Sequence, residues 1–160
     1  MNASVRLPVV FTAQSKVFFY CRDAVCEFVF KRNAIPVNPF RVFEYFLGDR
    51  VDRNLVRQGN NNLIHVVDEL WVFGETIADG VLSEIFLAKV LRKPICFFTI
   101  DNRADKIREI TSSRLYNHLH FEQQVYKTYR LSREKIIAKI IDHPADQAEQ
   151  LNLFDKMSDE

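Results

Sequence analysis

The residues best suited to chemistry lie between Val67 and Ile100, and Glu84 is foremost among them. A short apolar run, Leu70-Trp71-Val72-Phe73, stops at Gly74. Beyond it, Ala78-Asp79-Gly80 opens a segment whose apolar residues Val81, Leu82, Ile85, Ala88 and Leu91 recur at helical spacing. A strand, a loop and a helix start in this order expose the N–H groups of a first helical turn, which bind anions such as phosphate or carboxylate. Gly80 carries no side chain to keep a ligand from that backbone. Glu84 stands at i+4 from Gly80, on the same face at the mouth of the crevice. A carboxylate there can attack a sugar carbon and form a covalent intermediate. Spacing alone leaves a second reading open, an exposed helix residue favoured by the positive end of the helix dipole.

Other polar groups carry weaker signals. Trp71 can stack on a base, but its apolar neighbours make it a core residue. Asp68 reads as a cap of the preceding helix or as a residue shaping the entry to the strand. His118 and His120 flank Leu119 with no Cys or acidic partner at metal-ligand spacing, so they read as exposed polar residues and no metal is expected. Arg41, Arg50, Arg53 and Arg57 read as a solvated face, although Arg53 and Arg57 lie one helical turn apart. Net charge is +1, which gives no overall attraction to nucleic acid or membrane. Only 4 glycines occur, too few for a Gly-rich phosphate loop. No organic cofactor is required. Cys21, Cys26 and Cys96 are odd in number and sit in apolar surroundings, as free thiols of a reducing, cytoplasmic compartment would. Met1 to Val10 lacks the pattern of a signal peptide, and the apolar runs are too interrupted to span a membrane.

The elements that must position Glu84 follow from the alternation of apolar runs and periodic segments. Leu7 to Thr12 reads as a buried strand, and Ser15 to about Arg32 as a helix with Ser15 as its cap. Ala34 to Val37 forms a brief strand ended by Asn38-Pro39, and Phe40 to Leu47 a short helix or irregular segment. A helix capped by Asp52 runs to about Val67, ahead of the strand Leu70–Phe73. The Glu84 helix ends at Lys93-Pro94, and Ile95 to Phe98 makes a further strand. Continuous apolar strands separated by helices imply a parallel sheet covered on both faces. Phe121 to Asp142 reads as one long helix ended by Pro144. The fold expected is an α/β, Rossmann-like three-layer domain with a mostly parallel central sheet and a C-terminal helical extension. The core covers residues 1–100, the extension 101–142, and an acidic tail 143–160. Ligands of such sheets sit outside the carboxyl ends of the strands. That rule gathers Thr12 to Ser15, Asn38 to Phe40, and Gly74 to Glu84 around one crevice.

Several of these residues together resemble a known family. Asp68-Glu69-Leu70-Trp71-Val72-Phe73-Gly74, then Gly80 with Glu84, then Lys93-Pro94, match the nucleoside 2-deoxyribosyltransferase-like superfamily. The nearest group in it comprises small bacterial and phage proteins of unknown function. Tyr20-Cys21-Arg22, Ala24-Val25, Ile35-Pro36 and Asn38-Pro39 match in order upstream, so the resemblance covers roughly residues 7–100. It implies a pocket for a nucleoside or nucleotide and cleavage of an N-glycosidic bond with Glu84 as nucleophile. Asp79 would stabilise the positive charge that develops on the sugar. Substrate contacts would come from Thr12, Gln14, Asn38, Phe40, Gly74, Gly80 and Asn60. The resemblance also implies a homodimer. Two positions depart from the pattern. Thr12-Ala13-Gln14-Ser15 replaces a Ser-Pro-Tyr-like or Gly-rich loop. Gly59-Asn60-Asn61-Asn62 stands where active transferases carry an acid, and an Asn binds a base without moving a proton.

The tail holds a separate motif. Gln150-Leu151-Asn152-Leu153-Phe154 resembles the short bacterial peptide that docks on the replicative sliding clamp, with Leu151, Leu153 and Phe154 as apolar anchors and Gln150 at the rim. The other reading of these residues is the apolar end of a helix packed on the body. Two functions are therefore expected to compete: an N-glycosidase or deoxyribosyltransferase, and a nucleotide-binding or adaptor module that docks on a protein partner through its tail. Under the second, deletion of Gln150 to Phe154 abolishes retention of the protein on immobilised sliding clamp. Undiminished retention removes the docking motif from consideration.

Overall fold

Val9–Gln14 (β1) and Glu69–Phe73 (β3) are buried on both faces, as strands in the middle of a covered sheet are. The computed structural model, which describes residues 4–43 and 50–141, puts them there. Ile35–Val37 (β2), β1, β3, Ile95–Phe98 (β5) and Glu109–Ile110 (β6) form one sheet in the order β2-β1-β3-β5-β6. The first four strands are parallel, and β6 runs antiparallel to β5 along the edge.

Side chains alternate across each strand, so the sheet divides its apolar residues between two layers. Phe11, Ala13, Leu70, Val72 and Phe97 pack on one face with Ile64, Val81, Leu82 and Ile85. Val10, Trp71, Phe73 and Phe98 pack on the other with Val25, Phe28 and Val29. The helices responsible are Arg22–Lys31 (α1) on the second face, and Arg53–Val66 (α3) with Asp79–Val90 (α4) on the first. The result is an α/β three-layer, Rossmann-like fold with a mostly parallel sheet, as expected. Asp52 caps α3, its carboxylate accepting from the Asn54 N–H at 2.8 Å.

Local structure corrects or sharpens the expectation at several points. Ser15 does not cap a helix through its side chain. Lys16–Cys21 is a 3-10 segment, and Phe18 inside it departs from helical geometry (φ −102°, ψ 19°), so α1 begins only at Arg22. Pro39–Val42 (α2) is a four-residue helix capped by Asn38, and residues 44–49 lie outside the described set. The long helix expected over Phe121 to Asp142 is two helices, Gln123–Tyr129 (α6) and Arg133–Ile141 (α7). Arg130 breaks it with a left-handed backbone (φ 54°). The break lets Val125 and Tyr129 of α6, and Ile136, Ile137 and Ile140 of α7, reach the same core. The segment after β5 also holds more than helix. Besides β6 and the short helix Leu115–His118 (α5), His120–Phe121 (β7) pairs in parallel with Thr76–Ile77 (β4).

An L-residue with positive φ is strained relative to glycine. Arg130→Gly should therefore raise the unfolding free energy by about 0.5–1 kcal/mol, read from urea denaturation. A loss of stability would show that the arginine side chain matters more than its backbone geometry.

Candidate active site

Helix α4 brings the main candidate into place. Val81, Leu82, Ile85, Phe86, Leu87 and Ala88 are all buried, so this helix is wrapped by protein on most sides. Glu84 sits among them, half-buried, with protein dense around its carboxyl. Among the described residues it has no hydrogen-bond donor and no ion-pair partner. Burial alone pushes its pKa up, to about 8. A solvated surface residue favoured by the helix dipole would be held down instead. The unrelieved carboxyl therefore favours the chemical reading of this position over the surface one. At the amino end of α4 no side chain caps the helix, and the Asp79 carboxylate accepts from the Gly80 N–H at 2.9 Å. A Cβ built on Gly80 would meet nothing within 4 Å, which leaves room beside that first turn.

Two further elements bound this side of the sheet. Helix α3 packs against α4 and carries Asn60, whose Oδ1 is buried and accepts no hydrogen bond among the described residues. Helix α6 packs against α4 from the other side, with the Tyr129 ring edge-on to Phe86 at 5.6 Å. The Tyr129 phenol is pushed far above its ordinary range by burial and then by the Asp79 carboxylate, and the Arg57 guanidinium opposes the rise. Asp79, Arg57 and Tyr129 are thus within electrostatic reach of one another. The β4–β7 pair lies between the end of β3 and the start of α4. His120 N–H donates to the Glu75 carbonyl (2.8 Å) and Glu122 N–H to the Ile77 carbonyl (3.0 Å). The Ser15 hydroxyl donates to Glu122 Oε1 at 2.8 Å.

The other residues expected at the site are gathered elsewhere. Thr12 and Gln14 share the parity of Val10 and point to the α1 side of β1, whereas Glu84 lies on the α4 side. They are buried with Asn38, whose Nδ2 donates to Thr12 Oγ1 (2.9 Å) and Gln14 Oε1 (3.0 Å). Gln14 Nε2 in turn donates to the Phe18 carbonyl at 2.8 Å. Phe40 N–H donates to Asn38 Oδ1 (3.0 Å), and its ring meets Phe19 edge-on at 5.5 Å. Gly74 adopts φ +104° with Phe18 and Ile100 closing around it. These contacts form a satisfied polar network that ties β1, β2 and α2 together. The structure therefore brings Glu84, Asp79, Gly80 and Asn60 to one side, and Thr12, Gln14, Asn38, Phe40 and Gly74 to the other. Sequence reasoning put Ser15 at the same crevice as Glu84 but missed its partner Glu122, and joined neither Arg57 nor Tyr129 to α4. Ser15 and Glu122 are 107 positions apart, and no local pattern announces such a pair. Gln150, Leu151, Leu153 and Phe154 lie outside the described residues.

A groove of about 800 Å³ lies elsewhere, lined by Lys89, Lys93, Cys96, Thr111 and Ile140 at the far end of α4. Its lysines are engaged structurally. Lys89 Nζ donates to the Ile140 carbonyl, and Lys93 Nζ to those of Val67 (2.7 Å) and His65 (2.9 Å). The chemistry points to the Glu84 side, since the groove holds no group as perturbed and unrelieved as that carboxyl. Among the described residues, no three His, Cys, Asp or Glu side chains cluster to hold a metal, and no helix is long and apolar enough to cross a membrane.

A family model described as a domain of unknown function, DUF7768, matches residues 15–98. No curated protein and no solved structure matches the chain. The matched span includes Ser15, Asn60, Asp79 and Glu84 and stops before Glu122 and Tyr129.

The Glu84 pKa carries a stability consequence. An unfolded Glu titrates at 4.5 and the folded one at about 8, so between these values the folded state holds the extra proton. Wild-type stability then falls as pH rises through that window. The stability advantage of Glu84→Gln should grow by roughly 2–4 kcal/mol from pH 4.5 to pH 8, a figure reduced for the partial exposure of the residue. Parallel urea stability curves for the two proteins across this range would contradict the burial argument.

Proposed function

The chain belongs to the DUF7768 family, whose model spans Glu84, and we propose that it cleaves the N-glycosidic bond of a nucleoside or nucleotide through that residue. The observation that carries this reading is the Glu84 carboxyl, enclosed by protein and without a partner among the described residues, one turn inside α4 from Gly80, beside which there is open space. A carboxyl kept in such surroundings at a cost to folding is typical of a site selected for chemistry. In the proposed reaction the Glu84 carboxylate attacks the anomeric carbon. The C–N bond breaks and its electron pair leaves with the base. Asp79 lowers the energy of the cationic sugar in the transition state, as a second carboxylate does in glycosidases. Water or a second base then takes the sugar from Glu84. No metal or organic cofactor takes part. The superfamily resemblance adds a homodimer to this proposal.

A nucleotide-binding or adaptor role is the second reading. It draws on the same pKa, because a Glu titrating at about 8 is protonated at neutral pH and donates a hydrogen bond to a ligand. The Asn side chains at positions 60–62 fit base recognition without proton transfer. In this reading the clamp-like motif of the tail would carry the output to a protein partner.

Base release separates the two. Wild-type protein and Glu84→Ala are incubated with nucleosides, nucleoside monophosphates and NAD, and free base is resolved by chromatography. The glycosidase reading expects base from the wild type, and a loss greater than about a thousandfold in the variant. Because attack requires the carboxylate, kcat/KM should rise with pH and level off above about 8. Binding without base release transfers the weight to the sensing role, and base release that survives Glu84→Ala excludes Glu84 as nucleophile.

A further inference from the structure

We propose that Glu122 is a further catalytic residue of the Glu84 site, the base that deprotonates the water freeing the sugar, and that Ser15 positions it. This inference rests on the glycosidase reading above. It begins with register. Ile77 pairs with Phe121, and Glu122 N–H donates to the Ile77 carbonyl at 3.0 Å, so Glu122 sits level with Ala78, the residue at which α4 begins. Ser15 follows β1 in extended conformation (φ −62°, ψ 144°), and its parity with Phe11 and Ala13 turns its side chain to the α4 side. The Ser15 hydroxyl donates to Glu122 Oε1 at 2.8 Å. The Glu122 carboxylate is thereby held between the carboxyl end of β1 and the turn that leads into α4, the helix that carries Glu84. Ser15 is only 3% exposed, so this is an inward-facing contact rather than a loose surface pair.

The contact leaves the carboxylate free to act. Glu122 Oε1 accepts from Ser15, whereas Oε2 accepts no hydrogen bond among the described residues. One oxygen is fixed in orientation while the other can receive a proton. Glu122 also supplies what the α3 side lacks, since Asn60, Asn61 and Asn62 cannot move a proton. In the step assigned to it, the water oxygen bonds to the anomeric carbon as the bond from that carbon to Glu84 breaks. The bonding pair returns to the Glu84 carboxylate, and the water proton passes to Glu122 and then to solvent. Water is the only co-reactant.

The test uses whichever panel compound the full-length wild type cleaves, with Glu122→Gln and Ser15→Ala beside it. Glutamine keeps the oxygen that accepts from Ser15 but is not a base, so fold and chemistry are separated; thermal unfolding checks that the variant folds. Glu122→Gln should lower steady-state turnover about a hundredfold or more. It should also accumulate a protein adduct with the mass of one sugar, visible by intact-protein mass spectrometry and absent in Glu84→Ala. Sodium azide, which attacks without deprotonation, should restore turnover and yield the glycosyl azide. Ser15→Ala should show the same pattern more weakly. A wild type that releases base alongside an equally active Glu122→Gln overturns the role of Glu122 and leaves the glycosidase reading standing. A slow Glu122→Gln with neither adduct nor azide rescue overturns it as well, since a structural defect produces that result. No base release by the wild type from any compound removes both.

Discussion

The pairing of β1 with β3 is the constraint on which the rest of this molecule depends. The two strands run parallel in a register from Val10 opposite Glu69 to Gln14 opposite Phe73, so Ser15 and Gly74 leave the sheet side by side. From Ser15 the chain turns toward α1, and from Gly74 it turns toward α4. Diverging connections of this kind open a crevice at the carboxyl ends of the strands. The opposite end is held by Asp68, whose carboxylate accepts from the Val9 N–H at 2.7 Å and pairs with Arg6 at 3.1 Å. A slip of one residue would exchange the layers reached by Phe11 and Thr12, burying the polar side chain where the core needs the ring.

Three carboxylates, Asp68, Asp105 and Glu84, are shifted from their ordinary range, in two opposite senses. Asp68 and Asp105 are held below the ordinary range by hydrogen bonds, from the Val9 N–H and from Arg103 respectively. Both use their charge to fasten structure. Glu84 is the opposite case, raised by burial and relieved by nothing. A leucine at that position would suit the surroundings of α4 better, because its neighbours Val81, Ile85, Leu87 and Ala88 are all buried. Departures from local consistency of this kind are expected where function overrides stability.

The legible part of the fold was the part written in continuous apolar runs. β1, β3 and β5 could be read because strands buried on both faces contain little else. The same property hid their parity. A run such as Val9-Val10-Phe11-Thr12-Ala13-Gln14 does not say which residues face α1 and which α4, so Thr12 and Gln14 were grouped with Glu84 although the sheet separates them. The α6–α7 break was hidden for another reason. Apolar periodicity continues from Val125 to Ile140, and the residue that turns the chain is Arg130 rather than Gly or Pro. β6 and β7 are two residues long, too short for any alternation to register. Glu84 could be singled out because the strand, loop and helix start around it lie in one local sequence. The Ser15–Glu122 contact could not, because it exists only after folding.

The β4–β7 pair shows how that long-range contact and the crevice depend on each other. Two strands of two residues each make a negligible sheet on their own. They hold because Phe121 and Val125 sink into the core beneath α4, while Ser15 ties Glu122 to the end of β1. The segment that follows the family-matched span thus pairs with the turn leading into α4 from outside that span. Its attachment is apolar in part and polar in part, the polar half made of the backbone hydrogen bonds of the β4–β7 pair and the Ser15–Glu122 contact. The apolar half could be secured by almost any sequence of the right pattern. The Ser15–Glu122 contact requires a hydroxyl at position 15 and an acceptor at position 122, the one place where closing the fold and placing a carboxylate beside α4 are the same event.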